Sequence, residues 1–524
     1  MRTGRVVATL TAIGALMLHV PPVAAQGARG APPAAAPAAP AASAAVTKAG
    51  KEAELLPNDP VVTQHTARIN GQTVNYTAEA GWLPIREDGK ITAKMFYVAY
   101  TRNGIQDLST RPLLFSFNGG PGTASVWMHM GYTGPRRVMY DDDGFALRPP
   151  GTLEDNPHSI LDAADIVYID PVATGFSRMV EGEDLHKYHG TLTDIQSVAE
   201  FIRLYLLKKD RWASPKFVIG ESYGTTRASG LAGYLLSRHQ IYVNGVVLVS
   251  MTDLNVERGP DVGFAMTLPQ RTATAWYHHQ LPADLQARPL REVLDDVEPF
   301  AMGDYLGALV KGDRLTDAER TAMAQRVARY TGLTPEYVLS ANLRIDARRF
   351  WKELLRDQRL IVGRLDSRYL GVDQDAAGEN PEYDPAMADW NGPFSNAVNR
   401  YLREELRYNP DLEYNVWGPV RPWSRDATTN VGDMLRQAMQ GNPYLKVMVQ
   451  GGYFDAATDY FSAMYTISHL QPGGEFRDRF RFRFYESGHM MYLRKPDLAG
   501  ANGDLRDFIR WCLEDLPVHP LHAK

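Results

Sequence analysis

A single cysteine, Cys512, occurs among 524 residues, so no disulfide can form within the chain and a disulfide-stapled scaffold is excluded. Charge of one sign is not in excess either. The 56 Lys+Arg against 61 Asp+Glu give a net charge of −5, which offers no broad basic field to a phosphate backbone. Nucleic acid is therefore not an expected partner. No internal repeat at solenoid or propeller periods is present. A hydrophobic share of 44% and a charged share of 22%, with 44 Gly and 34 Pro, exclude disorder, collagen and coiled coil as whole-chain readings. What these absences leave is a globular chain long enough for a sizeable core.

The N-terminus carries Arg2 and Arg5 ahead of an uncharged, mostly apolar stretch over residues 6–20, and the small residues Val23-Ala24-Ala25 suit cleavage before Gln26. Residues 1–25 therefore read as a signal peptide and the protein as secreted or periplasmic. The stretch is shorter than the ~20 apolar residues a bilayer span needs, and Pro21-Pro22 follow it, so no stable membrane span is expected after cleavage. Residues 26–54, rich in Ala and Pro, read as an extended linker.

From residue 55 the sequence takes on α/β character. Asn70-Gly71 and Asp88-Gly89 mark hairpins, and short apolar runs at 113–117, 166–169, 217–219, 246–249 and 447–449 read as buried parallel strands. Thr193 and Gln196 have the spacing of a capping box, with Ile195, Val198, Ile202 and Tyr205 forming one apolar helix face. The expected fold is a mostly parallel central sheet with helices on both faces and antiparallel N-terminal hairpins. Its core spans 55–253 and 431–524. The alternation lapses over 254–430, which reads as a mainly helical cap or lid inserted over the active-site edge of the sheet.

The strongest chemical signal is Gly220-Glu221-Ser222-Tyr223-Gly224, preceded by a strand and followed by a helix. In that context G-x-S-x-G projects a serine hydroxyl above the sheet, which makes Ser222 a candidate nucleophile. A hydroxyl needs a histidine base oriented by a carboxylate. Asp455 stands on the loop after the strand ending near Val449, and His489 on the next such loop, in the chain order serine, acid, histidine. Asp459 is a rival acid, disfavoured because a helix is expected to start at Ala456. A second glycine-rich segment, Asn118-Gly119-Gly120-Pro121-Gly122, follows an early strand, and the Gly120 and Tyr223 amides are the expected oxyanion donors. No Lys-Ser or Lys-Thr follows these glycines, which argues against a phosphate loop. The pair His278-His279 has no companion ligand pattern, and the run Asp141-Asp142-Asp143 reads as a solvated turn, so no metal is expected.

Together with Asp170-Pro171-Val172-Ala173-Thr174-Gly175-Phe176-Ser177 and Gly488-His489-Met490, these segments resemble the serine carboxypeptidase family. The resemblance implies an α/β-hydrolase that removes C-terminal residues from peptides with a free C-terminus, without metal or cofactor. It assigns Ser222, Asp455 and His489 as the triad, Gly120 and Tyr223 as the oxyanion hole, and Asn118, Gly119 and Glu221 as the site for the substrate's terminal carboxylate. An ionised Glu221 would repel that carboxylate, so the site works only with Glu221 protonated, and acid should be preferred.

The family's second glutamate, two residues before a Gly-Pro, is replaced here by Tyr132. Its neutral hydroxyl is expected either to donate to Glu221 or the substrate and move activity toward neutral pH, or to mark a loss of exopeptidase selectivity. Ser116 and Thr123 are further departures, where the family usually has Trp and Cys. An esterase or acyltransferase on the same triad is the alternative reading. A catalytically inactive binding module is a third, against which the complete set of site residues argues.

Overall fold

The structure, a computed structural model, describes residues 51–514 apart from 185, 425 and 427. The signal peptide expected over 1–25 and most of the linker expected over 26–54 lie outside the described residues. Folding starts slightly before residue 55. Ala53 is buried and its carbonyl accepts from Lys94 Nζ at 2.8 Å, while Glu52 pairs with Arg178 at 2.8 Å.

One sheet dominates. Its strands are β1 (Val61–Ile69), β2 (Gln72–Glu87), β3 (Lys90–Arg102), β4 (Leu113–Phe117), β5 (Asp165–Ile169), β6 (Lys216–Glu221), β7 (Gly245–Val249), β8 (Lys446–Gly452) and β9 (Phe480–Tyr485). They lie in the order β1-β2-β3-β5-β4-β6-β7-β8-β9, with the short strand Arg178–Met179 beside β3. Pairings from β1 to β5 are antiparallel and all those beyond are parallel.

The local sequence explains these elements. Asn70 and Gly71 have φ of 49° and 78°, and Asp88 and Gly89 have 48° and 80°, the positive pair that a two-residue hairpin turn requires. Strands β4, β5, β7 and β8 are buried along their whole length, which is why they read as apolar runs without alternation. On β6, Val218 packs with the helices α1 (Thr191–Lys208), α2 (Tyr223–His239) and α3 (Val431–Gly441), while Phe217 and Ile219 pack with α4 (Lys495–Leu513) on the opposite face.

The capping-box expectation is corrected. Helix α1 starts three residues earlier, with Gly190 as its cap, so Thr193 lies inside the first turn and donates to the Gly190 carbonyl at 3.2 Å. The apolar face of Ile195, Val198, Ile202 and Tyr205 is buried as expected.

Between β7 and β8 the chain runs through a series of helices from Pro260 to Arg400. These have their own apolar cluster, including Val293, Val297, Val327 and Phe350, which also takes in Phe454 and Tyr460 from the core. The exchange of β5 and β4 in the sheet order sets β4 directly beside β6, so the loops that leave their carboxyl ends meet over the sheet edge. With its helix-covered parallel half and the turn at Ser222, this is an α/β-hydrolase fold.

Candidate active site

Strand β6 ends at Glu221 and α2 begins at Tyr223, which leaves Ser222 to make the whole turn at φ 58° and ψ −127°. A non-glycine residue in that region is strained, and its side chain is pushed out of the turn. Its amide donates to the Val249 carbonyl at 2.9 Å. Only glycine fits at position 220, where a Cβ would fall 2.1 Å from the Gly224 carbonyl oxygen. A Cβ on Gly119 would lie 2.4 Å from the Tyr223 nitrogen, so glycine there lets the loop after β4 rest on the turn. The Tyr223 amide, first of its helix, has no intrahelical acceptor. The neighbouring Gly120 amide makes no hydrogen bond among the described residues. Two free donors therefore sit beside Ser222, as an oxyanion hole requires.

This half is fixed from beneath by Arg227, one turn into α2. Its buried guanidinium pairs with Asp194 of α1 at 2.8 Å and donates to the Asn118 carbonyl at 2.6 Å, joining both helices to the glycine loop. The Tyr223 hydroxyl donates to the same Asp194 at 3.1 Å.

The loops after β8 and β9 supply the other half. His489 Nδ1 lies 2.7 Å from Asp455 Oδ2. The Asp455 carboxylate accepts from the amides of Ala457 at 2.9 Å and Thr458 at 3.0 Å, and from the Thr458 hydroxyl at 2.7 Å. Burial pulls the His489 imidazole down, but the Asp455 charge and hydrogen bond, with Glu221, outweigh it and the net shift is upward. Asp459 is not the partner. It caps the helix Tyr460–Leu470, accepting from the Ser462 amide at 2.7 Å, so that helix starts at Tyr460 rather than at Ala456.

Glu221 is buried immediately before the nucleophile. Its carboxylate accepts from the Asn118 amide group and from the Tyr492 hydroxyl, at 2.9 Å and 3.0 Å to its two oxygens. Burial raises its pKa to about 7, against the opposing effects of His489 and of the donors from Tyr492 and Asn118.

Tyr132 does not occupy the expected place. It is fully buried and donates to Gln450 at 2.8 Å and to the Ala501 carbonyl at 3.2 Å, because the helical turn carrying it points it under the site. Its ring stacks on Tyr492 at 5.0 Å and 7°. Tyr492 thus touches Glu221, and Tyr132 braces Tyr492.

The insertion reaches this edge in two places. The His489 amide donates to the Leu365 carbonyl at 2.7 Å, and the Gly488 amide to Asp366 Oδ2 at 3.0 Å, an acid held by Arg368 at 2.6 Å. Further along, the Val416 carbonyl accepts from Ala124 at 3.0 Å and the Gly418 amide donates to the Gly122 carbonyl at 2.7 Å. A cleft of about 100 Å³ results, with Asn118, Gly120, Glu221, Ser222 and His489 on its floor. Trp127, Leu365, Met387, Trp417 and Met490 form an apolar wall, and Arg364 stands at the same cleft.

Comparison with known proteins gives matches to part of the chain. Residues 69–257 match the family model for serine carboxypeptidases. That segment, which holds Ser222 and the glycine loop, is similar to serine carboxypeptidases. A serine carboxypeptidase family member of Dictyostelium discoideum is 25% identical over 170 residues, 32% of this chain and 36% of that protein. The pheromone-processing carboxypeptidase KEX1 of Saccharomyces cerevisiae is 28% identical over 173 residues, 31% of this chain and 22% of that protein. The chain thus spans about a third or less of the length of these curated relatives. The crystal structure of the yeast prohormone-processing carboxypeptidase KEX1 superposes with a TM-score of 0.49 at 15% identity, covering 87% of this chain and 95% of that one.

Three residues at the site carry no motif that sequence reading would flag. Arg227 follows Tyr223 by four positions, a helical spacing that signals a shared face but not a partner on α1. Tyr492, three residues after His489, has no local pattern pointing to Glu221. Asp366 lies in the insertion, where the fold is set by long-range packing.

Proposed function

We propose that the protein is an exported serine carboxypeptidase that releases C-terminal residues from peptides through an acyl-enzyme on Ser222. The observation that carries this reading is the buried Glu221 carboxyl beside the nucleophile, held by Asn118 and Tyr492 with its pKa raised to about 7. Below that pH Glu221 keeps its proton and donates a hydrogen bond to a substrate carboxylate, with Asn118 and the Gly119 amide as companions. Above it, two negative charges face each other and binding weakens. A site that expects a carboxylate one residue beyond the scissile bond suits an exopeptidase.

In this scheme His489, oriented by Asp455, takes the Ser222 proton as the oxygen attacks the last peptide carbonyl. The Gly120 and Tyr223 amides receive the developing oxyanion. The imidazolium then protonates the departing amine, and neutral His489 activates water against the ester. No metal or cofactor is needed. The apolar wall of Trp127, Leu365, Met387, Trp417 and Met490 favours an apolar leaving residue. Export rests on the N-terminal pattern of residues 1–25.

Hydrolysis of blocked dipeptides against their C-terminal amides, from about pH 5 to about pH 9, tests this reading, with Ser222→Ala as control. Free-acid peptides should be cleaved far faster, with a KM that climbs above about pH 7. Equal rates on both would leave the triad but point to an esterase or acyltransferase, which the replacement of the family's second glutamate by Tyr132 makes the relevant rival.

A further inference from the structure

A second cavity, about 310 Å³, opens on the other side of the nucleophile. Pro121 and Tyr223 form the wall it shares with the oxyanion loops, Thr458 lines it next to the acid loop, and Arg258 and Trp423 come from the insertion. If the terminal carboxylate lies against Asn118 and Glu221 and the scissile oxygen points at the Gly120 and Tyr223 amides, the acyl part of the peptide must leave in this direction. The cavity is the space available to the side chain of the residue that becomes the acyl group.

Its polar groups are unevenly satisfied. Asp253 accepts from the Asn255 amide at 3.1 Å, Asp459 from the Ser462 amide at 2.7 Å, and Asp426 from the Thr428 amide at 2.9 Å and the hydroxyls of Thr428 and Thr429 at 2.8 and 2.9 Å. The donors are not served. Arg258 Nη1 and Trp423 Nε1 are both buried and neither has a hydrogen-bond partner among the described residues. Arg258 also makes no ion pair there. Buried donors without acceptors are costly, and a ligand that supplies the acceptors removes the cost.

We propose that this pocket selects, at the acyl position of the substrate, side chains that end in hydrogen-bond acceptors, Glu and Gln, through Arg258 and Trp423. The proposal rests on the acyl-enzyme reading given above. A guanidinium suits a carboxylate or carboxamide oxygen, whereas an apolar side chain of equal length leaves both donors unpaired. The three aspartates oppose an anion, but Asp253 is exposed and Asp426 partly exposed, both hydrogen-bonded and screened by solvent, while burial pushes the Asp459 carboxyl up and so favours its neutral form, against the opposing pull of Arg258.

The test is kcat/KM for blocked dipeptides with one fixed C-terminal Phe and Glu, Gln, Met or Lys at the acyl position, repeated with the methyl esters of the same blocked residues. Glu and Gln should exceed Met by about 10- to 100-fold. Arg258→Met should collapse that ratio while retaining the rate on the Met substrate, and Trp423→Phe should reduce it in part. A lead for Lys, or a Glu preference indifferent to Arg258→Met, would overturn the proposal. The esters read the pocket without the carboxylate site. A flat ester series with free-acid-selective peptides sinks the pocket alone, and an acceptor preference in esters without free-acid selectivity sinks the exopeptidase reading alone.

Discussion

Core and insertion meet at Ser222 with different duties. In the proposed mechanism every reacting group, the Ser222 hydroxyl, the His489 imidazole, the Asp455 carboxylate and the two oxyanion amides, stands at the carboxyl end of a core strand. The insertion contributes restraint and walls: Leu365 and Asp366 hold the backbone of Gly488 and His489, and Val416 and Gly418 bridge the glycine loop. Chemistry is thus set by the buried parallel strands, which tolerate little variation. Register and substrate contact depend on a segment whose helices pack largely against one another. The difference teaches that substitutions in the two regions should fail in different ways.

The largest losses belong to the core. Asp455→Asn keeps the shape but stabilises the wrong His489 tautomer, and kcat should fall about 10⁴-fold with folding unaltered. Arg227→Met removes the cation buried between Asp194 and the Asn118 carbonyl, and should cost about 3 kcal/mol of stability. Chemical denaturation would register this as an earlier midpoint. An unchanged midpoint would mean that α1, α2 and the glycine loop are joined by packing alone.

The same contrast governs what the sequence discloses. Strands β4 to β8 were legible because burial on both faces leaves continuous Val, Ile, Leu and Phe runs, and G-x-S-x-G and the glycine loop after β4 were legible because sterics at positions 220 and 119 admit only glycine. Asp455 and His489 followed from their places after strands, and the structure brings them within 2.7 Å. Tyr132 was misplaced because a sequence position next to Gly134-Pro135 fixes the backbone but not which buried acceptor the hydroxyl finds. Gln450 was nearer than Glu221 to where the helical turn points it. Tyr492 was invisible for the same reason. The helices between Pro260 and Arg400 showed as helical in tone only, since their pairings are decided by long-range contacts that no local period encodes.

Breaking a support in the insertion should cost less than breaking the core. Asp366→Asn leaves Arg368 without its anion and weakens the acceptor on the Gly488 amide, so the His489 loop loses its register. A small misplacement of the base costs up to about 10²-fold, and a fall in kcat of about 10-fold is expected, with KM for an ester little changed. Steady-state kinetics beside a melting curve decide the matter. A lower melting temperature with full kcat would reduce this part of the insertion to a wall.

The smallest effect is the most specific. Tyr492 donates to both oxygens of the Glu221 carboxylate, which favours its charged form, so Tyr492→Phe should raise the Glu221 pKa above its present value of about 7. A hydrogen bond to a charged group is worth enough to move the transition by roughly one pH unit. The sign follows: KM for free-acid peptides, low while Glu221 is protonated, should begin its climb at higher pH in the variant, while ester hydrolysis, which does not use Glu221, keeps its profile. A purely structural role for Tyr492, as the ring stacked on Tyr132, predicts something else, a KM raised equally at all pH values with the climb beginning where it does in the parent. The pH at which KM turns upward therefore separates a residue that tunes the carboxylate from one that merely fills the space beneath it.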